Sequence, residues 1–270
     1  MIKLFIIILF VFTTCHASMA AEFDSLADLI RTGNSSLVLK EVNKPHAFPA
    51  SRIYDETPLI VASREGRTDI VRSLLAAGSP VNKSSRNGIT PLHEAGTSEV
   101  AELLIKYGAD IDVQDEQGNT PLHYAASTDL SDVASVLIRH HSGINIQNEN
   151  GETPLHIAVK NNSIETVKIL VKSGAKAEVI NESHKTPLYL AVEKNFVKII
   201  KILVHYKAAL NIEDAEGDTP LHIAVFYSRK KAVILLMEAG ANPYQKGSKF
   251  TPIQLAKYCG NEDLIKYMVK

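Results

Sequence analysis

An all-α solenoid of stacked helix–turn–helix units, joined by β-hairpin-like fingers, is the fold class that this 270-residue sequence predicts. Two observations predict it. The first is a repeat: Thr-Pro recurs at Thr57-Pro58, Thr90-Pro91, Thr120-Pro121, Thr153-Pro154, Thr186-Pro187, Thr219-Pro220 and Thr251-Pro252, in steps of 33, 30, 33, 33, 33 and 32 residues. A period in this range means supersecondary units that bury their apolar faces against neighbours rather than in one closed core. The second is the order of signals inside a period. Thr153 suits an N-cap, its hydroxyl placed to accept a free backbone N–H of the first turn, and Pro154 suits the first helical position. Leu155 and Ala158 share a face, and Asn161-Asn162 breaks the pattern. A second helix from Ile164 to Lys172 lines up Val167, Leu170 and Val171. Gly174 ends it, and the stretch from Ala175 to Thr186 has no helical period and reads as a turn-containing finger.

Thr-Pro, seven times in register over residues 22 to 270 and four times continued as Leu-His with Ala two residues on, resembles the ankyrin repeat. The resemblance implies an ankyrin-repeat α-solenoid with repeats at about 52–84, 85–114, 115–147, 148–180, 181–213, 214–245 and 246–270. It also implies that His93, His123, His156 and His222 are structural, tying finger backbone to helix. Partners would bind the concave face made by finger tips and first helices.

The first 20 residues stand outside that pattern. Lys3 precedes an unbroken apolar run from Leu4 to Phe12, and a polar stretch leads to small residues at Ser18 and Ala20. This is the form of a secretory signal peptide, with cleavage expected after Ala20. Nine apolar residues are too few to span a bilayer core, which takes about 20. A lipid anchor at Cys15 lacks the usual residues before the Cys. Cleavage would leave Cys259 as the lone cysteine, which rules out an internal disulfide in an oxidising compartment.

Residues 21–51 read as an N-terminal capping half-repeat and linker. Leu26, Leu29 and Ile30 form one short apolar face, and Leu37, Val38 and Val42 continue it after Gly33-Asn34. Pro45 and Pro49 make the following connection non-helical. The first full unit carries Ile60 where His stands elsewhere. The 30-residue step places a three-residue deletion after His93-Glu94-Ala95, so the first helix of that unit should be nearly a turn short, with a notch beside Arg64 and Ser127. His141 and Lys207 occupy helix-ending positions where Gly is expected. The last unit, with Gln254 in the His position and Leu264, Ile265, Met268 and Val269 on its second helix, reads as a closing cap, so that the stack is expected to be complete at both ends.

No chemistry emerges from the motifs. His140-His141 has no partners at metal-ligand spacing, Cys259 lacks the surroundings of an activated thiol, and the nucleotide-binding and hydrolase signatures are absent. The sequence therefore reads as a non-enzyme without cofactor or metal. A net charge of −1 gives no overall attraction to nucleic acid, and no partner of that kind is expected.

What remains is a surface for a protein partner. The fingers carry Asp115, Glu116, Glu149, Glu152, Glu182, Asp214, Glu216 and Asp218 against Lys185, so they favour a basic partner. Lys168, Lys172, Lys198, Lys201, Arg229, Lys230 and Lys231 lie on helices, and a basic face of that kind suits an anionic surface. Phe226 and Tyr227 stand at the end of one first helix, Tyr258 at the same place one unit later, and Phe250 in the finger between. With Glu216 and Asp218 beside them, these rings are the expected centre of contact. The function expected is an exported, monomeric, non-catalytic binding module, periplasmic or secreted, with no stable membrane insertion after cleavage. The alternatives are a secreted effector acting on a host protein and a membrane-attached scaffold.

Overall fold

The computed structural model describes residues 26–42 and 56–269. The leader expected at 1–20 and the proline-containing connection expected at 43–51 lie outside the described residues. Every described element is helical and none is a strand. The chain divides into two compact units, Met1–Pro121 and Leu122–Lys270.

The first unit holds residues 26–32 (α1), Ser35–Val42 (α2), Pro58–Arg64 (α3), Thr68–Ala76 (α4) and Ser98–Lys106 (α5). Helix α4 packs on α2, α3 and α5. Leu26, Ile30, Val38, Leu59, Ile60, Ile70, Leu74 and Leu104 are the buried centre. Arg67 donates from Nη2 to the Arg31 carbonyl at 3.0 Å, tying α1 to α4. Leu37 departs from expectation: it is exposed, since α2 turns Val38 rather than Leu37 inward.

The shortened repeat departs further. No helix forms between Thr90 and Ser98; residues 91–94 are turns. With three residues gone, too few remain to close successive i→i−4 bonds, and nucleation of so short a helix is unfavourable. Instead Gly96 donates to the Ser63 carbonyl at 2.9 Å, and a Cβ there would lie 2.6 Å from the Arg64 carbonyl oxygen. Only Gly allows the chain to press against the end of α3. On the Arg64 side the expected notch is bridged, because Arg64 Nε reaches Glu94 at 2.9 Å.

The second unit repeats one motif. Helix α6 (Pro121–Ser127) enters it, followed by α7 (Ser131–Arg139), α8 (Pro154–Lys160), α9 (Ile164–Lys172), α10 (Pro187–Glu193), α11 (Val197–His205), α12 (Pro220–Phe226), α13 (Lys230–Glu238), α14 (Pro252–Tyr258), a 3-10 turn at Glu262–Leu264 and α15 (Ile265–Met268). First helices α8, α10, α12 and α14 pack in one row, and second helices α7, α9, α11, α13 and α15 in another. Leu155, Ala158, Val167 and Leu170 are fully buried between the rows. Val269 is exposed rather than packed, because the chain leaves the helix there in extended conformation.

Helix ends follow the Thr-Pro signals. The hydroxyls of Thr57, Thr186 and Thr251 each accept the backbone N–H three residues on. At the other end, Gly174 lies at φ +89° and the Ala175 N–H reaches back to the Leu170 carbonyl. His141 and Lys207 make the same closing bonds at φ +66° and +58°, in the left-handed region that disfavours a side chain.

Candidate functional site

The site is built from the finger upward. Each complete finger is folded by one Asp or Asn whose Oδ1 accepts two backbone N–H groups. Asn148 takes those of Asn150 and Glu152, both at 3.0 Å, and Asp214 takes those of Glu216 at 3.0 Å and Asp218 at 2.9 Å. The turn leaves the carbonyl of its last residue pointing at the preceding repeat. There a histidine receives it: His93 Nε2 meets the Asn119 carbonyl, His123 that of Glu152, His156 that of Lys185 and His222 that of Phe250, all at 3.0–3.1 Å. The other ring nitrogen is fixed as well. His156 Nδ1 accepts the Thr153 N–H at 3.2 Å, so the proton sits on Nε2 and the ring is neutral. At Thr153 the cap thus runs through the His156 ring, with the Thr hydroxyl 2.9 Å from Nδ1. Burial pushes the His156 pKa down to about 4 and lowers that of His93 too.

Tyr189 replaces histidine in the repeat at 181–213, a substitution that the Thr-Pro pattern hides. Its ring is buried, and its hydroxyl donates to the Asp214 carboxylate instead of a carbonyl. Burial first, then that hydrogen bond, raises its pKa above the ordinary phenol range. Asp214 therefore braces the finger from both sides.

The acidic finger residues separate into two kinds. Glu116, Glu149, Glu182 and Glu216 are exposed. Asp115 and Asp214 are spent inside their turns, and Asp218 accepts the Ser248 N–H at 3.0 Å. Glu152 corrects the expectation of a free charge at a fingertip: it is buried, and both oxygens lie 2.9 Å from Lys160 Nζ. Lys185, the finger cation, is likewise paired, with Glu193 at 2.7 Å, and lies 5.1 Å from the centre of the Tyr189 ring.

The four aromatic residues come together. Phe226, Tyr227, Phe250 and Tyr258 line one open cleft of about 400 Å³ with Glu216, Asp218, Tyr189 and Glu193. Phe226 is 55% exposed, Tyr227 47% and Tyr258 75%, so these rings do not seal the joint between repeats. Phe226 and Tyr227 meet edge to face at 5.0 Å, and Phe250 and Tyr258 stack at 4.9 Å. Gly247 lets the next finger close over the site, since a Cβ there would lie 2.2 Å from Asp218 and 2.6 Å from His222. Glu149 and Glu182 belong to earlier fingers and do not line this cleft.

A family model for ankyrin repeats in three copies matches residues 18–115, 94–181 and 174–247. The chain belongs to the ankyrin-repeat family. Among solved structures, the crystal structure of the ankyrin repeat domain of Bcl-3, described as a unique member of the IkappaB protein family, is similar to it. The TM-score is 0.71 at 27% identity, over 78% of this chain and 98% of that one. No curated protein matches the chain. Ankyrin repeats bind protein partners, and this fold is typically a non-enzymatic scaffold, so the chain is a protein–protein interaction module. No helix among the described residues is long and apolar enough to cross a membrane.

Proposed function

We propose that this ankyrin-repeat chain is an exported, monomeric, non-catalytic module that holds a protein partner on the face formed by its fingers and first helices. The observation that carries the reading is the exposed ring set of Phe226, Tyr227 and Tyr258 around one cleft. Large aromatic side chains left in water on a folded scaffold, rimmed by charge, are the usual make-up of an interaction centre. Glu216 beside the rings, with Glu116, Glu149 and Glu182 on other fingers, favours a basic partner surface. Export rests on the charged, apolar and small-residue order of residues 1–20.

Site-specific photo-crosslinking tests the face. A photoreactive side chain at position 227 should give a discrete adduct in the source cell, and one at position 201, on α11, should not. Equal labelling from both positions contradicts the reading. Mass spectrometry of the mature protein tests export: a chain beginning at Ala21 in the periplasm or medium supports it, and an intact Met1 in the cytoplasm overturns it.

A further inference from the structure

Three of these repeats carry the same kind of side-chain pair. In each pair, the residue just before the capping Thr meets the residue eight positions on, at the end of the first helix. Glu56 pairs with Arg64, Glu152 with Lys160 at 2.9 Å, and Lys185 with Glu193 at 2.7 Å. The charges reverse in the last of these, but opposite signs always meet. The next repeat has Asp218 and Phe226 at these two places. A phenyl ring cannot neutralise a carboxylate, and no cation among the described residues lies within ion-pair distance of Asp218. Among the described residues its carboxylate oxygens accept only from Ser248, the N–H at 3.0 Å and the hydroxyl at 3.4 Å. The last repeat has Phe250 and Tyr258 there, with stacked rings. The sequence has thus kept the acid of one pair, removed its cation, and placed aromatic rings around it.

We propose that the cleft takes an arginine side chain from an extended segment of the partner protein, its guanidinium on the Asp218 carboxylate and its plane against the Phe226 and Tyr258 rings. The assignment rests on the binding-face reading above and names what that face recognises. The partner's cation would do for Asp218 what Lys160 does for Glu152 within the chain. Arginine fits better than lysine because a planar cation stacks on a ring while its edge donates to a carboxylate. The other charges agree. Lys185 is taken by Glu193 and Asp214 by the Tyr189 hydroxyl and two backbone N–H groups, which leaves Asp218 and exposed Glu216 against Lys249 at the rim. An anionic ligand finds no free cationic cluster there.

The test titrates the 15N-labelled protein with an acetylated, amidated alanine pentapeptide carrying one central arginine, and with its citrulline twin, which has the same shape and no charge. Saturable shifts at the amides of 218, 226, 227, 248 and 258 are expected with arginine, and binding weaker by about tenfold or more with citrulline, the loss expected of a charge-assisted bond. Phe226→Lys supplies the missing cation from within. It should abolish arginine-peptide binding while leaving the melting temperature unchanged or higher. Asp218→Asn gives the same loss of binding by removing the acid, and decides the matter should Phe226→Lys not fold. Equal binding of citrulline, wild-type affinity in Asp218→Asn, or no saturable shift overturns the arginine assignment. A discrete adduct from position 227 alongside any of those results leaves the binding face standing; loss of the adduct as well removes the face itself.

Discussion

At the scale of single residues, two features set local stability. The buried His156 ring is neutral with its pKa pushed down to about 4, against 6.5 for a free histidine. The unfolded chain therefore takes up the proton first. Stability from this residue is complete above about pH 6.5, falls as pH drops towards 4, and levels off below. One proton gives a slope of about 1.4 kcal/mol per pH unit in that window. Urea titrations between pH 7.5 and 4 should show this decline, and His156→Gln should flatten it. Gln254 already makes the same cap without a titrating group, its Oε1 accepting the Thr251 N–H at 3.0 Å. The second feature is backbone strain at His141 and Lys207. Replacing either by Gly should stabilise by up to about 1 kcal/mol, read as a shift in the denaturation midpoint. Hydrogen exchange should find these two helix ends opening before the end at Gly174.

At the scale of elements, the helices are short and draw their stability from neighbours. Leu170 on α9 is fully buried, and Leu170→Ala should cost about 2–5 kcal/mol in chemical denaturation. Gly96→Ala makes a sharper test of the shortened repeat, because the added methyl meets the α3 carbonyls and not a flexible side chain. It should lower the stability of the first unit far beyond the usual small cost of a surface substitution, seen as early exchange of amides in α3 and α5. Most of this level was legible in the sequence. Thr-Pro marked the first helices at every site but Thr90-Pro91, the Ile164–Lys172 stripe became α9 with those bounds, and His141 and Lys207 lie at positive φ as their positions implied. The shortened repeat was legible only in part, since a deletion marks where a helix weakens and not whether any turn of it survives. The pairs Glu56–Arg64, Glu152–Lys160 and Lys185–Glu193 were hidden for a different reason. Each pair joins a finger residue to a helix end, so no single element runs through both and amphipathic patterns do not register it. Counting from each capping Thr would have found it, and with it the buried state of Glu152 and the odd composition of Asp218 with Phe226.

At the scale of the whole molecule, repetition is what makes function readable. Each repeat states the ordinary residue for a position, and departures from it stand out against six neighbours. Tyr189 departs and finds an internal partner in Asp214. Phe226, Tyr227 and Tyr258 depart and remain in water. The aromatic centre was legible from their shared places in successive units, whereas its floor, where Asp214, Asp218 and Ser248 meet through hydrogen bonds, needed the folded fingers to bring it together. The central claim is that this cleft serves recognition and not folding. The double substitution Phe226→Ala and Tyr227→Ala tests it most directly, with crosslinking from position 258 and thermal melting measured on the same protein. The expected result is loss of the partner adduct with a melting curve nearly unchanged. A collapsed melt, or an adduct that persists at wild-type yield, would contradict it.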